Sequence, residues 1–408
     1  MLSENTIDNL IQPIINRQEA INQYVIRQIA ETIKQIGTVS HSDVQQLVRL
    51  LKTGSDVRKI NEEIARLTGL QVKDVKAIIK EVALDSYTDA KPYYDYRYNS
   101  FIPFDKNEAL QAVVNAMSVV TENSFKNLSN TRAIGFLIRD IKNPTKLKWH
   151  GIKDTYYSII DEAAQAVQSG VVDYNTAMRR TVNQLIQSGV RRIDYNPESG
   201  RCYTKRLDSA VRQNLLDAVR AVNQAIQNEV GRQINADGKE ISVHSMPAPD
   251  HALIQGHQFT NDQWEILQSQ DESKTVKSYS GKMLAVPHRC IGIWNCRHFA
   301  FSVILGVMNP NYTQEELDKI NSENEKGVII GGKHYTGYEA VQRQRELETL
   351  VRYSKDGQIA SIEAGNIQLA RRYQAKVDHY TKNYRKFSEL AGLKQRFDRI
   401  RVDGYKPM

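Results

Sequence analysis

Cysteine is scarce in this chain. There are three in 408 residues (Cys202, Cys290 and Cys296), an odd number too small for a disulfide framework and suited to reduced thiols. No apolar run approaches the roughly 18 residues that a membrane-spanning helix requires. The opening Met1-Leu2-Ser3-Glu4-Asn5 lacks the basic and apolar regions of a secretion signal. Membrane proteins and secreted disulfide scaffolds are thereby set aside, and synthesis and use in a cytosol are expected. Also missing are Cys-x-x-Cys pairs and runs of five or more like charges, the marks of common zinc modules and histone-like tails.

What remains is an ordinary folded composition, 40% hydrophobic and 25% charged, long enough for two or three structural units. Lys and Arg outnumber Asp and Glu by 55 to 47, a modest basic excess compatible with a polyanionic neighbour. The expected class is α+β: a predominantly helical N-terminal half, a small mixed α/β module with His and Cys motifs, and a helical C-terminal tail.

Residues 1–90 read as an N-terminal helical domain. Ile7, Leu10, Ile11, Ile14 and Ile15, then Ile21, Val25, Ile29, Ile33 and Ile36, recur at three- and four-residue steps. This is the stripe of a long amphipathic helix, broken or bent near Pro13. Ser40 or Ser42 offers an N-cap for a second helix that Gly54 stops. A helix from Ser55 is expected to turn at Thr68-Gly69-Leu70 into another from Val72. That pair has the outline of a helix-turn-helix, but Lys73, Lys76 and Lys80 alternate with Asp74 and Glu81 and form no basic face, so packing is the reading adopted.

Residues 91–105, with Tyr87 just before them, form a Tyr-rich loop or linker. Tyr93, Tyr94, Tyr96, Tyr98 and Phe101 there could meet a protein partner. Residues 106–235 read as a second helical domain. Its first helix would bury Leu110, Val113, Val114, Met117 and Val120, followed by an irregular basic segment (Lys142, Lys146, Lys148), helices 152–169 and 174–188, a hairpin turning at Asn196 to Gly200, and a long helix from Leu207. A mixed α/β module spans 236–310 and C-terminal helices span 311–408. In the latter, Thr313 and Glu316 match a capping box, a glycine loop precedes a helix reaching about Tyr353, and a basic helical segment follows from Ser361.

Five of the nine histidines and two of the three cysteines fall between Ser242 and Phe301. His251, His257, Cys290, Cys296 and His298 supply enough N and S donors for zinc, although the six-residue steps between the histidines and between the cysteines fit no common zinc spacing. Cys290 or Cys296 could instead be a nucleophile paired with a histidine and oriented by Asp250 or Asn295. Metal-assisted phosphodiester hydrolysis would want paired carboxylates, and only Asp250 is at hand. The reading adopted is structural: His244, Asp250, His251, His257, Cys290, Cys296, Arg297 and His298 form a hydrogen-bonded polar core, with no cofactor and no metal assigned.

Three ordered motifs carry a resemblance. Pro249-Asp250-His251 with Gly256-His257 and Phe259, then Ile291-Gly292 with Trp294-Asn295-Cys296-Arg297-His298, then Lys333-His334-Tyr335 with Tyr338-Glu339 and Gln342-Arg343, together resemble the minor capsid proteins of tailed bacteriophages and prophages, of the minor capsid protein 2 type. More distantly, the first two resemble the Mu-F type head-morphogenesis proteins. Where those have a second Cys after the Arg, this chain has His298, so no metal role is carried over from them.

The resemblance implies a non-enzymatic virion protein assembled in the bacterial host cytoplasm. It would be present in few copies or as an oligomer near the portal vertex, touching portal protein and capsid proteins, with non-specific contact to packaged DNA as a further implication and no membrane partner. The alternative is a metal-dependent hydrolase or transferase effector packaged with the DNA.

Overall fold

The computed structural model describes residues 4–38, 44–96, 100–128, 130–139, 146–169, 174–196, 201–292 and 296–408. The Ser40 and Ser42 caps, Tyr98, Lys142, the 197–200 turn and Asn295 lie outside them.

The isoleucine stripe at the start of the chain produces α1 (Glu4–Thr38), with Ile7, Ile11, Ile14, Ile21, Val25, Ile29, Ile33 and Ile36 all buried. The helix runs through Pro13 without a break. Pro13 faces solvent, and the carbonyl deprived of its N–H donor belongs to Asn9, which is exposed too and so stays within reach of solvent.

After α2 (Val44–Leu51), Gly54 adopts φ 87° and starts α3 (Ser55–Asp89). The turn expected at 68–70 does not exist: α3 is one 35-residue helix, and with it the helix-turn-helix outline disappears. An interior glycine costs about 1 kcal/mol. Burial of Ile60, Ile64, Val75, Ile79 and Val82 outweighs that cost, helped by Thr68 donating to the Ile64 carbonyl (2.7 Å) and Gln18 of α1 donating to Gln71 (2.5 Å).

The Tyr-rich stretch also differs from expectation. Tyr87 ends α3 and Tyr94 lies in α4 (Lys91–Asp95); both are buried, and Phe101 stacks on Tyr87 at 4.8 Å and meets Tyr94 edge-on at 5.3 Å. Their hydroxyls donate to the Ile102 carbonyl (2.8 Å) and to Gln233 (2.6 Å). These rings fill core instead of meeting a partner, because each hydroxyl finds an acceptor inside the fold. Tyr96 is exposed.

Helix α5 (Glu108–Leu128) buries Leu110, Val114, Thr121 and Phe125; Val120, expected inside, points to solvent. Four antiparallel strands in the order β2-β1-β3-β4 follow. They are β1 (Ile134–Arg139), β2 (Leu147–Gly151), β3 (Arg191–Asn196) and β4 (Arg201–Arg206), with α6 (Ile152–Ser169) and α7 (Tyr174–Ser188) between the second and third. Gly135 opposes Gly151, and a Cβ at 135 would meet the His150 carbonyl.

Helix α8 (Leu207–Gln233) is the axis of the molecule, packed on α1, α3 and α5 through Val211, Leu215, Val219, Val222, Ile226 and Val230. One apolar core gathers these helices, the first sheet, and Phe299, Phe301 and Val303 of the following module.

That module contains β5 (Gly238–Ile241), α9 (Pro249–Ala252), β6 (Gln258–Thr260), α10 (Asn261–Leu267), the hairpin β7 (Thr275–Lys277) and β8 (Met283–Ala285), and β9 (Ala300–Val303). Its antiparallel sheet is ordered β6-β5-β9, over a small core of Ile241, Ile254, Phe259, Leu267, Val276 and Leu284.

Thr313 and Glu316 do cap α11 (Gln314–Lys326) reciprocally. The glycine loop is in fact a hairpin, β10 (Val328–Ile330) and β11 (Lys333–Tyr335), joined by Gly331-Gly332 at φ 61° and 81°. Two consecutive positive φ angles are the hallmark of a tight hairpin turn, which only glycine adopts at no cost. A second capping box, Thr336 with Glu339, starts α12 (Gly337–Glu363), ten residues longer than expected, and α13 (Ile367–Leu390) packs back along it.

Among the described residues no helix is long and apolar enough to cross a membrane.

Candidate functional site

The site is built where the β6-β5-β9 sheet meets the start of α12. Ser242, just past β5, and Phe299, just before β9, bind each other twice. The Ser242 N–H donates to the Phe299 carbonyl (2.8 Å), and the Phe299 N–H donates to the Ser242 hydroxyl (2.8 Å). This pins the segment before β9 in extended form. Alternate residues of extended chain share a face, so Cys296 and His298 point the same way. Pro249 at the first position of α9 sets that short helix, which carries His251 to the same place.

Three buried side chains thus converge. The Cys296 sulfur lies 3.5 Å from His251 Nδ1 and 3.5 Å from His298 Nδ1, and the His298 backbone N–H points at the same sulfur (3.4 Å). His251 Nε2 lies 2.9 Å from the Arg289 carbonyl, and His298 Nε2 lies 3.2 Å from Gln255 Oε1. The His244 ring lies against that of His298, tilted by 37°, with ring centroids 4.3 Å apart. Asp250 Oδ2 lies 3.8 Å from His251 Nε2, beyond hydrogen-bond reach, and its two oxygens accept a bidentate pair from Arg289 (3.0 and 2.5 Å).

Burial dominates the electrostatics. It pushes His244 down to about 3, with Arg297 and His251 adding to the effect, and drives His298 well below the usual histidine range. For Cys296 burial acts upward, but the His251 hydrogen bond and charge prevail and the thiol is lowered. His251 is correspondingly raised, its contacts with Cys296 and the Arg289 carbonyl overcoming burial.

The other residues expected here lie elsewhere. His257 packs edge-on against Phe259 and burial lowers it to about 4; the Cys290 thiol donates to the Gln268 carbonyl (3.1 Å). Neither joins the trio of His251, Cys296 and His298. Arg297 lines the adjoining cavity.

Of the second motif, Tyr338 and Gln342 face that cavity, of about 170 Å³. The rest stabilise the local fold: Lys333 lies over the Tyr335 ring, His334 bonds the Lys326 carbonyl (3.0 Å), Tyr335 packs edge-on to Phe387, Glu339 caps α12, and Arg343 pairs with Glu346 (2.7 Å). Two residues were missed. Gln255 follows His251 by one helical step, and Arg345 shares the face of Tyr338 and Gln342, so helical periodicity could have found both. Burial and the neighbouring Arg297, Arg212 and Arg399 push Arg345 down to about 9.

Behind Arg345 lies a band of buried charge. Asp8 of α1 accepts from Arg212 of α8 (2.6 Å) and from Arg396 (3.1 Å) and Arg399 (2.5 Å) near the C-terminus. Burial raises the Asp8 pKa, but the guanidinium groups of Arg212 and Arg399 outweigh it and hold the carboxyl well below the carboxylate range. Arg206 lies between Asp208 (3.2 Å), Glu19 (3.6 Å) and Asp356 (3.7 Å).

A family model, phage minor capsid protein 2, matches residues 2–389, which include the trio, the cavity wall and the helical frame. The chain belongs to the phage minor capsid protein 2 family. No curated protein and no solved structure matches it. As a minor capsid protein it is a structural component of the bacteriophage virion, and its partners are other proteins of the phage head.

Proposed function

We propose that this minor capsid protein acts at the portal vertex during head assembly, in few copies, against portal protein and capsid proteins, and that it touches packaged DNA without sequence preference. The family match along nearly the whole chain carries the structural role. The DNA contact is supported by α13. Its inner face (Leu369, Tyr373, Val377, Tyr384, Phe387) is buried on α12, while Arg371, Arg372, Lys376, Lys382, Arg385 and Lys386 are exposed against only Asp378 and Glu389. A one-sided cation stripe on a rigid helix suits a phosphate backbone.

The polar core around His251, Cys296 and His298 then serves to fix the module against α12. The second reading, a packaged metal-dependent hydrolase or transferase, is favoured by one observation: the trio borders a cavity instead of being sealed in packing.

Quantitative analysis of purified particles tests the proposal. A few copies per particle, lost together with correctly assembled heads on deletion of the gene, is the expected result. Particles that lack the chain would refute it. For DNA, the quadruple variant Arg371→Glu, Arg372→Glu, Lys382→Glu, Lys386→Glu is expected to weaken duplex binding and flatten its salt dependence. An unchanged salt slope would exclude α13 as the contact.

A further inference from the structure

We propose that His251, Cys296 and His298 form a zinc site, ligated through Nδ1, Sγ and Nδ1, with a fourth coordination position opening into the cavity against α12. The proposal does not depend on where in the virion the protein acts.

The protons can be placed from the hydrogen-bond network. The Ala252 carbonyl can only accept, so the Asn321 atom bonded to it (2.9 Å) is the amide nitrogen. Asn321 Oδ1 therefore accepts from Gln255 Nε2 (3.2 Å), which leaves Gln255 Oε1 as the acceptor. The His244 backbone N–H, which can only donate, points at that same oxygen (3.2 Å) and fixes the assignment from the other end. His298 Nε2, facing this oxygen, must carry its hydrogen. His251 Nε2 faces the Arg289 carbonyl, again an acceptor only, and must carry its hydrogen too.

Both neutral rings therefore aim the Nδ1 lone pair at one sulfur, and the His298 backbone N–H is directed at that sulfur as well. A thiol has one hydrogen and can satisfy only one of the two imidazoles. The remaining choice is an imidazolium at His251, which Asp250 (3.8 Å from its Nε2) favours and the surrounding arginines oppose, or a metal cation that both lone pairs and a thiolate share.

The geometry fits the cation. With Zn–S of about 2.3 Å, Zn–N of about 2.0–2.1 Å and a roughly tetrahedral angle, sulfur and nitrogen donors stand about 3.5 Å apart. Both Sγ···Nδ1 separations are 3.5 Å, and the three donors lie within 4.8 Å of one another. The far nitrogen of each histidine bonds a carbonyl-type oxygen, the outer partner that metal-bound imidazoles ordinarily have. One thiolate with two imidazoles suits zinc over hard cations. Three protein donors with a cavity at the fourth position, lined by Tyr338, Gln342, Arg297 and Arg345, leave room for one water.

The test uses the full chain, purified without a histidine tag, loaded with zinc and then dialysed. Elemental analysis is expected to find about one zinc per chain, lost in Cys296→Ser and His251→Gln and retained in Cys290→Ser. Because Cys296→Ser could unfold the module, a second variant gives a positive reading. In Cys202→Ser/Cys290→Ser, Cys296 is the sole remaining thiol, and both replaced side chains lie outside the trio. Cobalt loaded into that variant is expected to give a thiolate-to-cobalt charge-transfer band. Absence of the band and of stoichiometric zinc, with Cys296 alkylating equally fast with zinc and with chelator, would overturn the site and leave a thiolate–imidazolium pair. Zinc that persists in Cys296→Ser would overturn it as well.

Discussion

Lys239 on β5 offers a quantitative test of how this fold tolerates a buried charge. Its ammonium lies between the sheet and α8, donating to Asn228 Oδ1 (2.7 Å) and Ser302 Oγ (2.8 Å), both neutral acceptors. Burial lowers its pKa from 10.5 to about 8. The folded-state value is the lower one, so between about pH 8 and 10.5 the unfolded chain holds a proton that the folded chain has released. Stability therefore rises with pH across this window, and below it the full penalty for the buried charge is present. The fall from 10.5 to about 8 corresponds to about 3.5 kcal/mol. Lys239→Met keeps the unbranched stem and removes the charge, but Ser302 loses its donor and Asn228 one of two, the other being Gln224 (2.9 Å), at about 1 kcal/mol per lost hydrogen bond. Net, the variant is expected to be about 1.5 kcal/mol more stable than the parent at pH 7 and less stable at pH 10.5. Urea unfolding of both proteins at several pH values measures this, and other titrations cancel in the difference. Parallel stability curves from pH 7 to 10.5 would refute the reasoning.

Other perturbations follow from close packing and from charge. Gly357 of α12 lets the Tyr373 ring lie on the helix backbone, where an added Cβ would come within 2.4 Å of it; Gly357→Ala is expected to cost about 1–3 kcal/mol, read as a lowered thermal midpoint. Asp8→Ala removes the carboxylate shared by three guanidinium groups, of which Arg396 keeps Asp398 (2.9 Å) and Arg399 keeps Glu348 (4.0 Å) while Arg212 loses the ion pair that offsets its burial, and is expected to cost about 3 kcal/mol in urea unfolding. The Asp8 carboxyl is held below its usual value, so its contribution is present above about pH 4 and lost on further acidification; the deficit of the variant should shrink there. His257 is depressed from 6.5 to about 4, so its folded neutral form loses ground as pH falls through that interval. His257→Leu should therefore be less acid-sensitive between pH 6.5 and 4 by circular dichroism.

Helices with a clean apolar period were legible. The expected ranges 152–169 and 174–188 are those of α6 and α7, and the Thr313 capping box is present as read. Errors arose where local punctuation met tertiary packing. Gly69 reads as a turn in isolation, but α1 along one side of α3 makes continuation cheaper than a break. The strands β1 and β2 were missed because Phe136-Leu137-Ile138 runs apolar without two-residue alternation and the alternation of Leu147-Lys148-Trp149-His150 is only four residues long; their mutual pairing and the Gly135–Gly151 approach define them. At the site, both motifs were found but not their geometry. His251 and Cys296 are 45 positions apart, and only the Ser242–Phe299 clasp brings them together, so no spacing template could reveal them.

The Asp8 cluster also has a consequence for biosynthesis. Arg396 and Arg399 emerge from the ribosome nearly four hundred residues after the carboxylate they hold, and α12, which also packs on α1, emerges only slightly earlier. Helices α3, α6 and α8 are available to cover the isoleucine ridge of α1 much earlier, but Asp8 waits for its last two partners. Closure of the Asp8 cluster is therefore a late step, and a nonsense mutation between α13 and Arg396 would leave Asp8 with Arg212 but without both of the later guanidinium groups.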